Sequence, residues 1–117
     1  MTDRDVIEGP SFVVGDTDTD HDYPITRSRV AVNLTGYSNP EMEAFNEKTR
    51  VALALPITGS ILSPATAGIV RFNHDALVAA GAGTYRCQIV LVHPSNGRRR
   101  LKRDILIPVR ESVEDMT

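Results

Sequence analysis

Three groups of residues in this chain are of types that could do chemistry: an aspartate run, three histidines with a single cysteine, and a cluster of cations. Asp16, Asp18 and Asp20 alternate with threonines, as in the opening of an EF-hand calcium loop. That loop needs Gly at its sixth position and a bidentate Glu at its twelfth. Those positions hold His21 and Arg27, so the EF-hand is excluded. Two readings stay open: a looser calcium site made by Asp16, Asp18 and Asp20, and a solvated loop whose charges block edge pairing. His21, His74 and His93 lie far apart, none at helical i, i+4 spacing with another ligand. Cys87 stands alone, which excludes an internal disulfide and a cysteine-rich zinc site. Gly81-Ala82-Gly83 lacks the third glycine of a dinucleotide fingerprint, because that position is Arg86, and it precedes a strand rather than a helix. No nucleophile elbow or phosphate-binding loop appears. The expectation is a protein that is not an enzyme and uses no cofactor.

Arg98, Arg99, Arg100, Lys102 and Arg103 place five cations in six residues. Such a cluster could grip phosphates, dock an acidic protein partner, or simply keep a hairpin solvated and paired with acidic neighbours. No aromatic accompanies it for stacking on bases, and in a strand its members alternate between faces. Nucleic acid is therefore not the expected partner. The formal net charge of −2 provides no global field to recruit nucleic acid or an anionic membrane.

The elements that must carry these groups read as strands. A chain of 117 residues is long enough for one domain with its own core. Aromatics make up only 5% and Trp is missing, so Val, Ile, Leu and Ala must fill that core, a composition suited to sheets. The charged N-terminus shows no signal-peptide pattern, and no apolar run reaches membrane-span length. A soluble protein made in a reducing cytosol is expected.

Along the chain, residues 1–9 read as a flexible arm, Ser11–Val14 as a short strand, and Asp16–Asp22 as a polar loop. Tyr23–Thr26 reads as an edge piece, and Val30, Val32 and Leu34 as one face of a half-buried strand. Residues 38–49 fit a helical turn opened by Asn39-Pro40 or a polar strand or loop, the latter preferred. Arg50–Ile57 is the strongest apolar run, with Val51, Leu53, Leu55 and Ile57 sharing a face. After Ile69–Phe72, Asn73 or Asp75 can cap a helical turn over Ala76–Ala80 that Gly81 ends. Pro94-Ser95-Asn96-Gly97 then makes a hairpin turn. Residues 111–117 read as a disordered acidic tail, leaving 10–110 as the domain.

Gly81–Gln88, G-A-G-T-Y-R-C-Q, is the most diagnostic segment. Tyr85 sits two positions before Cys87 at the start of an apolar run, as where immunoglobulin-like sandwiches enter the F strand. There the ring packs inward and its hydroxyl bonds back to upstream backbone. Parity puts Tyr85, Cys87, Ile89 and Leu91 on one face; Cys87 is then core filler, and Gly83 belongs to the corner. Val90 and Val92 fall on the other face, to be covered by a partner or a neighbouring element. About seven short strands with one helical turn before the F-like strand make an all-β, immunoglobulin-like β-sandwich.

The order of signals resembles the small immunoglobulin-like domain of tailed-bacteriophage structural proteins, typified by the N-terminal domain of upper baseplate proteins. The residues that carry it are Gly15-Asp16-Thr17, Leu34-Thr35-Gly36, Pro64 to Gly68 leading into Ile69–Phe72, and Ala82-Gly83-Thr84-Tyr85. The corner has one extra residue, and segment 38–50 is longer and more polar than the pattern. The resemblance covers roughly residues 11–110. It implies a virion component of the head, neck, tail or baseplate, assembled in the host cytoplasm in several copies. Its partners would be other virion proteins, met through strand edges, loops, the N-terminal arm and residues 98–103. The rival expectation is a free-standing sandwich binding nucleic acid or glycan through that basic hairpin.

Overall fold

A computed structural model describes residues 6–54 and 56–111, with only the backbone given for Lys102. The chain is an all-β sandwich. Its strands are β1 (Val6–Glu8), β2 (Phe12–Val13), β3 (Asp20–Pro24), β4 (Thr26–Arg27), β5 (Val30–Ala31) and β6 (Glu41–Asn46). They continue as β7 (Ile57–Thr58), β8 (Ser60–Ile61), β9 (Ile69–Asn73), β10 (Gly83–His93) and β11 (Gly97–Arg110), with helix α1 (Asp75–Ala79) between β9 and β10. One sheet runs β1-β11-β10-β6-β7, with β2 also paired to β11; the other runs β3-β9-β8; β4 and β5 form a separate hairpin.

Strands β3, β9 and β8 take the B, E and D places of an immunoglobulin-like sandwich, and β6, β10 and β11 take C, F and G. The first strands lie beside the last: β1 and β2 both run parallel to β11. Between the sheets, Tyr23, Val70 and Phe72 meet Met42, Cys87, Ile89, Leu91, Ile105 and Ile107, all buried. Leu34 and Leu77 join the same cluster.

Several sequence expectations need correction. Val6–Glu8 is no loose arm but an edge strand, in register with Asp104–Leu106; residues 1–5 and the acidic tail at 112–117 lie outside the described residues. Asp20–Pro24 is a strand, so half of the expected aspartate loop pairs with Ile69–Asn73. Val30 and Ala31 form one arm of a small hairpin with Val30 exposed, and only Leu34 of the expected strand is buried. The apolar run at 50–57 is mostly irregular. Arg50 adopts a positive φ of 63°, which turns the chain out of β6. It rejoins the sheet by a single bridge, Phe45 to Ala52, before β7. Val51 is left 66% exposed, and Leu55 lies outside the described residues. Segment 38–50 contributes strand β6, as the polar-strand reading anticipates.

Register explains the open end of the sandwich. Gln88 pairs with Asp104 but Val90 pairs with Arg100. Two steps on β10 therefore span four on β11, and two extra residues bulge from β11 within Leu101–Arg103.

Candidate functional site

The β11 bulge and the β4–β5 hairpin bound a cleft. Thr26 pairs with Ala31 and Arg27 with Val30, leaving the two-residue turn Ser28-Arg29, both at positive φ (52° and 68°). That is the geometry of a type I′ hairpin turn, whose twist suits tight hairpins although non-glycine residues strain to adopt it. The hairpin stands opposite the inward face of β11, where Arg99, Leu101 and Arg103 share the parity of buried Ile105. The cleft between them encloses about 1470 Å³. Ile89, Leu91, Leu101 and Ile105 contribute apolar lining, Tyr37 and Val32 also line it, and Arg27, Arg29, Arg99, Arg100 and Arg103 add cations. Among the described residues, Arg27, Arg29 and Arg99 have no ion-pair partner.

The five-cation cluster therefore does not act as one patch. Arg98 and Arg100 sit on the outward parity; Arg98 does not line the cleft, whereas Arg100 is among its lining residues. Arg98 pairs with Glu41 at 2.7 Å, and Arg100 grips Glu43 through two hydrogen bonds of 3.0 and 3.1 Å. Strand β10 lies between β11 and β6, with Val90 in register with both Arg100 and Glu41. These pairs thus bridge over β10, and the arginine stems cover the apolar residue beneath. Val90 is fully buried and Val92 half-buried for this reason; a neighbouring element of the same chain supplies the cover. Arg98 and Arg100 thus hold ion pairs of their own on the outer face, while Arg99, Arg100 and Arg103 line the cleft. The side chain of Lys102 lies outside the description. Farther down the same face, Arg86 forks onto Glu47 (3.0 and 3.1 Å) and reaches buried Asp104 at 2.9 Å. The Arg86 guanidinium holds the Glu47 carboxyl below the usual carboxylate range.

At the opposite end, Tyr85 is buried and its hydroxyl donates to the Gly81 carbonyl at 3.0 Å. Gly83 lies at φ 147°, and a Cβ there would stand 2.6 Å from Asn46 Nδ2, so only glycine fits the corner. Cys87 is buried, and burial pushes its thiol up to about 12, far from a reactive thiolate. Helix α1 starts one residue earlier than the sequence suggests. His74 takes the cap position, while the Asn73 side chain accepts the Asp75 N–H at 2.9 Å.

His74 is fully buried in a polar cluster that sequence spacing does not reveal. Its Nδ1 lies 2.8 Å from the Thr19 carbonyl. A carbonyl only accepts, so Nδ1 carries the proton and Nε2 accepts from the Tyr23 hydroxyl, also at 2.8 Å. The Thr19 hydroxyl accepts the His74 backbone N–H at 2.8 Å and donates to Asp75 at 2.7 Å. The ring stitches the start of β3 to the end of β9. Burial holds His74 below its ordinary value, as a structural imidazole requires.

Two of the weak calcium candidates hold local structure. Asp16 accepts the Val13 N–H at 2.8 Å, and Asp20 accepts from Asn73 at 3.0 Å. Asp18 is exposed at φ 61°. Among the described residues, no three His, Cys, Asp or Glu side chains converge as a metal site. No described helix is long and apolar enough to cross a membrane.

No protein-family model matches the chain, and no curated protein matches it either.

Proposed function

We propose that this protein works by docking other protein subunits and that, as the resemblance of its motifs implies, it is a structural component of a tailed-phage particle. The observation that carries the docking reading is the cleft: exposed Val30 and half-buried Val32, Tyr37 and Leu101 over a buried apolar floor, beside arginines without ion-pair partners among the described residues. An apolar centre with a charged rim is the make-up of a protein–protein contact surface. The arginines bias the choice of partner and the approach toward acidic surfaces. Nucleic acid is a weaker reading, because Arg98 and Arg100 are already neutralised by Glu41 and Glu43 and cannot release counterions from phosphates.

The test is quantitative mass spectrometry on gradient-purified particles from cells that carry the gene. A constant, integral number of copies per particle is expected. Particles free of the protein, with the protein confined to the soluble fraction, would overturn the reading.

A further inference from the structure

Among the described residues, the two ends of the sandwich carry opposite charge that is not compensated by ion pairs. The cleft end holds Arg27, Arg29 and Arg99 without ion-pair partners among the described residues. The far end holds Asp16, Asp18, Asp20 and Asp75, and among the described residues no ion pair reaches these four. Asp22 is taken by Arg71 at 2.7 Å, and Arg110 stands in register with Val13 at that end. Strand β10 sets the separation. Gly83 enters beside the acidic end, while Leu91 is in register with Arg99, about 26 Å along the strand at about 3.3 Å per residue. Physiological salt screens charge over about 8 Å, so the two ends do not cancel each other within one molecule. The acidic end also presents an apolar residue, Val14, 38% exposed next to Gly15 and Asp16.

We infer that the cleft of one copy receives the acidic Val14–Asp20 loop of a second copy, so that the chain associates head to tail. The inference rests on the docking reading and names its partner: Val14 would meet the apolar lining while Asp16, Asp18 and Asp20 face Arg27, Arg29 and Arg99. Each subunit then keeps one free cleft and one free loop. Such a heterologous contact grows into rings or filaments instead of stopping at a dimer.

Sedimentation velocity over a concentration series tests this with the purified full chain. In low salt the average mass should rise with concentration past the dimer. In high salt it should fall to the 12.8 kDa monomer. Two variants separate the surfaces. Arg27→Glu with Arg29→Glu disables the cleft on an exposed hairpin. Asp18→Asn with Asp20→Asn disables the loop while keeping the acceptor that Asn73 uses. Circular dichroism establishes that both are folded. Each variant alone should stay monomeric, with association weakened at least about tenfold. An equimolar mixture should form a dimer and nothing larger, because each partner supplies the one surface the other lacks. A wild-type chain that is monomeric at every salt, variants that associate like wild type, or a mixture that forms no dimer would each overturn the inference. Any of these results would leave particle incorporation, and hence the docking reading, to be judged separately.

Discussion

Tyr23 and Tyr85 allow one chemical change to be compared in two environments. Removing either hydroxyl deletes one oxygen and one hydrogen bond, and leaves a phenyl ring that still fills its place. For Tyr85 the orphaned group is the Gly81 carbonyl at 3.0 Å, on a half-buried glycine that water can reach. The cost is therefore the net value of one hydrogen bond, about 1 kcal/mol. For Tyr23 the orphaned group is Nε2 of fully buried His74. An acceptor stranded away from water adds a desolvation penalty, giving about 2–3 kcal/mol in total. With an unfolding entropy of about 2.1 cal/mol/K per residue, the whole chain changes by about 0.25 kcal/mol/K. Tyr85→Phe should then lower the melting temperature by about 4 °C and Tyr23→Phe by about 8–12 °C. Thermal and urea unfolding followed by circular dichroism measure both, and an unchanged m-value shows that the same transition is compared. If Tyr23→Phe costs no more than Tyr85→Phe, the buried polar cluster does not have the role argued for it. If Tyr85→Phe matches wild type, the corner hydroxyl does not pin the fold.

Three further outcomes are expected. His74 is held neutral below the ordinary value near 6.5, so under acid conditions the unfolded chain binds a proton that the folded one refuses. Stability therefore falls as pH drops through about 6.5 toward the lowered folded value. Urea midpoints across this range should show the slope, and His74→Gln should flatten it. Cys87 should resist a thiol-specific colour reagent at about pH 8 while folded and react fully in denaturant; rapid labelling of the native chain would contradict its burial. Arg86→Ala should cost about 2 kcal/mol by urea unfolding. That is less than the 3–5 of a fully buried pair, because Arg86 is a quarter exposed and Gln88 still donates to Asp104 at 3.3 Å.

What was legible in the sequence depended on range. The corner could be read because Tyr85, Cys87 and Ile89 lie within one strand and alternation alone assigns their face. The hairpin at 94–97 is likewise local. There the His93 Nδ1 accepts the N–H groups of Ser95 and Asn96. The His74 cluster could not be read, because Tyr23 and Thr19 lie 51 and 55 residues away and each looks ordinary in its own segment. The basic cluster misled for the same reason: the carboxylates that neutralise Arg98 and Arg100 sit on β6. Glu41 and Glu43 on alternate positions of a polar strand were the signal available, but pairing them requires knowing that β10 separates the two. Parity held at Leu53 and Ile57, which pack on the core, but failed at Val51. A run of alternating apolar residues looks like a strand, yet after the turn at Arg50 the chain pairs with β6 only through the Phe45–Ala52 bridge before β7. The cleft emerges only from the two extra residues in β11, which no local pattern marks.

The most direct test of docking through the cleft is incorporation of a cleft variant into particles. Wild type and Arg27→Glu/Arg29→Glu, expressed at equal levels and equally folded, are compared by quantitative mass spectrometry of gradient-purified particles. Wild type should enter at fixed copy number and the variant at least about tenfold less. Equal incorporation of the two would contradict the account, because the particle would then be binding this protein by some other surface.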